Sequence, residues 1–87
     1  MPKKSFSSRK KLTRLQLRDL DVEITFLEGI IRRDSDYIEA LQILGDAYTR
    51  RGAFSNGLKV DEQLAQLCPE DALVHYNLAC SYSLTEQ

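Results

Sequence analysis

Apolar positions recur at helical spacing along most of this chain. Leu17, Leu20, Ile24, Leu27 and Ile31 step by 3, 4, 3 and 4, so they share one stripe, which Phe26 and Ile30 widen. The spacing predicts a first helix over 19–33. Asp19 or Asp21 as N-cap, with acidic residues in the first turn, favours that start, and Arg32 and Arg33 suit the negative C-terminal end. Thr13 with Gln16 forms a competing capping box two turns earlier. Asp34, Ser35 and Asp36 make the break.

A second helix is expected over 37–51, with Leu41, Leu44, Gly45 and Tyr48 on its buried face and Gly52 as its stop. A third, over 54–67, turns Phe54, Leu58, Leu64 and Ala65 inward, and Pro69 prevents its continuation. Glu70 and Asp71 open a fourth over 71–84, whose packing face is assigned to His75, Leu78, Ala79 and Tyr82. The connections are short, so neighbouring helices run antiparallel. The fold class is all-α.

Leu44, Gly45 and Tyr48 stand 34 positions before Leu78, Ala79 and Tyr82. Self-similarity at that period points to a helical repeat array, in which each unit buries its apolar face against the next. The run Leu41-x2-Leu44-Gly45-x2-Tyr48, continuing to Pro69, resembles the tetratricopeptide repeat (TPR). Leu41 stands at the family's Trp position, while Gly57 and Asp61 occupy the positions of its later Ala-x3-Phe pair. The second copy reads His75-x2-Leu78-Ala79-x2-Tyr82. One full unit spans roughly Ile38 to Asp71, and the next is present as its first helix. Leu58, Leu64 and Ala65, shifted back by 34, fall on Ile24, Ile30 and Ile31, so the first helix resembles the second helix of a preceding unit.

The resemblance covers about three quarters of the chain and implies a TPR-like α-solenoid fragment of about one and a half to two repeats, built of antiparallel helix-turn-helix units. Gly45, Ala79 and Gly57 are its candidates for close helix crossings, where a larger side chain would force the helices apart.

The same resemblance implies that the first helix of each unit lines a concave groove. The family's contact positions fall on Glu39, Gln42, Asp46, Thr49 and Arg50, then on Leu73, Tyr76, Asn77, Cys80, Ser83 and Leu84. The first set is polar. In the second, Leu73, Tyr76, Cys80 and Leu84 step by 3, 4 and 4 and form a further apolar stripe. The candidate partner-binding residues are therefore Leu73, Tyr76, Asn77, Cys80, Leu84, Gln42, Asp46 and Arg50. A following helix, a partner or a second copy would cover that stripe. A version of the family clamps a peptide's C-terminal carboxylate with Lys, Arg and Asn. Only Asn77 matches that set, and Asp46 would repel a carboxylate.

At 87 residues and 10.0 kDa, with 43% hydrophobic and 29% charged residues, the chain fits one small globular domain. The net charge of -1 hides an asymmetry. Residues 1–18 carry seven basic side chains and no acid, a charge of +7, while residues 19–87 set the other five (12 - 7) against 13 acids, a charge of -8. The expectation is a basic flexible tail over 1–18 ahead of a helical domain over 19–87. That tail supplies the alternative function, nucleic-acid or anionic-surface binding, with nucleic acid the less favoured partner. No apolar run approaches the roughly 20 residues of a membrane span, and the beginning lacks the apolar core of a secretory signal. Its Arg/Ser-rich, acid-free character resembles an organellar transit peptide only in composition. A cytoplasmic location, with Cys68 and Cys80 as free thiols, is expected.

No constellation for catalysis is evident. The single His, His75, is assigned to packing. His75 and Cys80 lie about 140° apart around a helix and cannot ligate one metal. Cys68-x6-His75-x4-Cys80 fits no zinc spacing, and there is no P-loop or Gly-rich dinucleotide fingerprint. Asp61 is expected to be exposed, the alternative being a buried carboxylate with a perturbed pKa. The expected function is a non-catalytic protein–protein interaction scaffold without cofactors, binding a protein segment or self-associating through the last helix.

Overall fold

The computed structural model describes residues 11–86, which form four helices: α1 (Arg14–Arg33), α2 (Ile38–Arg51), α3 (Phe54–Leu67) and α4 (Ala72–Thr85). No strand occurs among the described residues. The expected bounds of α2, α3 and α4 hold to within one residue.

The start of α1 is a correction. It begins at Arg14, five residues before Asp19, because Thr13 Oγ1 accepts the Gln16 amide at 3.1 Å while Gln16 Oε1 accepts the Thr13 amide at 2.9 Å. This reciprocal pair satisfies two amides that a lone cap at Asp19 would leave open. Arg14 and Arg18, counted with the basic tail, therefore belong to α1. Residues 1–10 of that tail lie outside the described residues.

At the other end of α2, Gly52 adopts φ 88°, a left-handed conformation that glycine takes without strain. From there its amide reaches Thr49 O, and that of Ala53 reaches Tyr48 O at 2.8 Å. Asp71 Oδ1 caps α4 by accepting the Leu73 and Val74 amides at 2.9 and 3.2 Å.

The helices form an open stack in which each packs on its neighbours in sequence. The core comprises Leu20, Ile24 and Leu27 of α1, Ala40, Leu41, Leu44, Ala47 and Tyr48 of α2, Val60 and Leu64 of α3, and Val74 of α4. The largest share comes from α2, which is covered on two sides. Gly45 and Gly57 do sit at the α2·α3 crossing: a Cβ on Gly45 would lie 3.3 Å from Val60 Cγ1 and from Asp61 Oδ1, and one on Gly57 3.7 Å from Tyr48 Cβ. On α3 the buried face is Gly57, Val60 and Leu64, whereas Phe54, Leu58 and Ala65 are only half-buried. Val60, absent from the expected face, is central because it faces Gly45.

The largest correction concerns α4. His75 and Ala79 are exposed, Tyr82 is 50% exposed and Leu78 is half-buried; Val74 and Ser81 are the buried positions. Shifting the α2 pattern by 34 residues carried over both of its covered sides, but among the described residues α4 packs on α3 alone. His75 does not fill a core site; its Nε2 lies 2.7 Å from Pro69 O.

The 34-residue period is nevertheless written into the bonding. Tyr48 OH donates to Glu28, and Tyr82 OH donates to Glu62 at 2.9 Å, each pair spanning the same 20 residues. The α1·α2 and α3·α4 interfaces are two versions of one contact.

Candidate functional site

A depression of about 220 Å³ lies between α2 and α4, with α3 beneath. Gln42, Asp46 and Thr49 form the α2 wall, at i, i+4 and i+7, and Leu73, Asn77, Cys80 and Leu84 form the α4 wall, at i, i+4, i+7 and i+11. Gly45, Asp61, Leu64, Val74 and Ser81 complete the lining. Six of the eight candidate residues, Gln42, Asp46, Leu73, Asn77, Cys80 and Leu84, thus meet in one groove.

Arg50 and Tyr76 do not join them. Arg50 Nε bonds Asp46 Oδ2 at 2.9 Å, its guanidinium lies 3.8 Å from Glu23 Oε1, and it borders a separate depression with Leu12 and Leu20 of the α1 side. Tyr76 is 65% exposed and stands outside the groove.

The composition of α4 separates it from the other helices. Its 14 residues include no Asp, Glu, Lys or Arg, whereas α1, α2 and α3 all carry such side chains. Leu73 and Leu84 are 65% and 42% exposed. A helix without a charged face ordinarily sits inside a protein.

Beneath the groove, Ser81 Oγ donates to the half-buried Asp61 carboxylate. Burial pushes the Asp61 carboxyl above its ordinary range, and the Ser81 bond opposes that rise. Asp61 is therefore not the exposed residue expected from the sequence. Thirty-four positions earlier the same places hold Leu27 and Ala47, both buried in the core. Sequence reasoning did not single out Ser81; the signal was the paired replacement of two apolar residues by two polar ones at facing repeat positions.

At the other version of this interface, burial first and the Glu28 bond second push the Tyr48 hydroxyl up to about 12. Among the described residues no His, Cys, Asp and Glu side chains cluster to hold a metal ion, and no helix is long and apolar enough to cross a membrane. Cys68 is half-buried, Cys80 is exposed, and both are free thiols.

Fold and groove together define an open stack of antiparallel helices with a repeating interface, whose last described helix carries no Asp, Glu, Lys or Arg. No protein-family model, curated protein or solved structure gives a significant match to the chain.

Proposed function

We propose that this protein is a non-catalytic interaction scaffold, TPR-like in its repeat, which holds a protein segment or a second copy of itself against α4 and the adjoining groove. The observation that carries this reading is the mismatch in α4 between composition and burial: 14 residues without an Asp, Glu, Lys or Arg, of which only Val74 and Ser81 are buried. Apolar area taken out of water contributes about 25 cal/mol per Å². Covering Leu73, Tyr76 and Leu84 is thus a substantial driving force.

The groove also sets the chemistry of its occupant. Leu73 and Leu84 favour apolar anchors, Gln42 and Asn77 offer amide donors and acceptors to a backbone, and Asp46 disfavours a carboxylate. Its walls coincide with positions that the TPR resemblance assigns to partner contact, which supports the same reading.

A photo-crosslinking residue placed at position 76 or 84, with Gln66 on the exposed side of α3 as control, tests the proposal in cells of the native host. Protein adducts are expected from 76 and 84 and not from 66. Equal yields from all three positions reject it.

A further inference from the structure

We propose that the forward face of α4 receives α1 of a second copy, so that chains join head to tail and continue the helical stack. This face, formed by His75, Ala79 and Tyr82, lies on a different side of α4 from the groove wall of Leu73, Asn77, Cys80 and Leu84, so the inference goes beyond the scaffold reading.

The stack contains two kinds of interface in alternation. The α1·α2 and α3·α4 contacts share the Tyr–Glu bond and are of one kind, and α2·α3 is of the other. The second kind is prepared again at both ends. On α2, Gly45 and Tyr48 lie against Gly57 and Val60 of α3. Shifted by 34, Leu41, Gly45 and Tyr48 become His75, Ala79 and Tyr82, the positions of α4 left exposed where the repeat would have them packed. At the opposite end, Val60 of α3, which lies on Gly45, corresponds to Phe26 of α1. Phe26 is 66% exposed, with Val22 beside it at 65%. One contact of a kind already present in the chain covers both faces.

The junction is not an identical copy of α2·α3. Ala79 and Glu23 stand where Gly45 and Gly57 allow close approach, so the incoming α1 lies further from α4 than α3 lies from α2. Phe26 is correspondingly longer than Val60 and spans the wider gap. Glu23 is drawn toward Arg50 of its own chain. Having no Asp, Glu, Lys or Arg, α4 sets none of these against Arg18 or Asp21, which flank Val22 and Phe26. The resulting contact is looser than the internal one and reversible. It joins two different surfaces, so it propagates instead of closing as a two-fold dimer.

Sedimentation velocity on the full chain, with Phe26→Asp and Ala79→Arg run separately and then mixed in equal amounts, tests this. Both positions are exposed, and circular dichroism checks that each variant keeps its helices. The wild type is expected to grow past dimer with concentration, and each variant alone to remain monomeric. Their mixture is expected to stop at the dimer, because Phe26→Asp retains an intact α4 face and Ala79→Arg an intact α1 face. A wild type that stays monomeric at millimolar concentration, a variant that dimerises alone, or a mixture that stays monomeric overturns the proposal. Crosslinks from positions 76 and 84 to other proteins, without a mixed dimer, would refuse head-to-tail joining and leave the scaffold reading standing.

Discussion

Glycine inside a helix costs roughly 0.5–1 kcal/mol relative to alanine, so Gly45 and Gly57 need a packing reason. The structure supplies one at the α2·α3 crossing, where a Cβ on Gly45 would press Val60 Cγ1 and Asp61 Oδ1 at 3.3 Å. Gly45→Leu is therefore expected to destabilise by about 1 to 3 kcal/mol. Gly57→Ala should cost far less, since its nearest contact, Thr49 Oγ1 at 3.4 Å, is an ordinary one and alanine recovers helix propensity. Thermal melts of the two variants check the pair, and an unchanged melting temperature for Gly45→Leu would remove the packing argument. Both glycines were legible in the sequence because their helical setting makes them costly without a neighbour. Ala79 was not, because it holds the same repeat position with nothing packed on it.

Between elements, the two versions of the repeating interface differ at one facing pair, Leu27 with Ala47 in the first and Asp61 with Ser81 in the second. The Asp61 carboxyl is raised by burial, so the folded state keeps its proton to higher pH than the unfolded chain does. Its contribution to stability is present below the ordinary carboxylate range and is lost as pH rises through the raised value. Asp61→Asn should accordingly melt higher than wild type at neutral pH and converge with it near about pH 3, below the ordinary Asp value. A constant difference between the two melting curves across that window would refute the assignment. Helix ends were readable at this scale wherever one residue decides them, as Gly52, Pro69 and Asp71 do. The start of α1 was misread because Asp19 and Asp21 are cap-type residues, but the reciprocal Thr13–Gln16 bonds outcompete them. The face of α4 was misread because periodicity identifies apolar positions without saying which sides have a neighbour.

At the scale of the molecule, each helix meets only its neighbours, and stability is close to a sum of helix and interface contributions. The groove was legible to the same extent as the stack: residues set on α2 and α4 by helical spacing converge because α3 holds those two helices side by side. Arg50 escaped that reasoning, since its ion pairs with Asp46 and Glu23 turn it toward α1. The recurring Tyr–Glu bond has a consequence for chain length. If residues 38–71 were duplicated in tandem, the added tyrosine would find Glu62 as Tyr82 does, and Tyr82 would find the added glutamate. One new pairing would arise, the first Asp61 facing the added Ala47 instead of Ser81; every other contact repeats one already present, and the longer chain should melt above the wild type, whereas a lower melting temperature would show that the units do not add. The protein is in this sense a ruler graduated every 34 residues, whose number of divisions can be altered by redrawing a single facing pair.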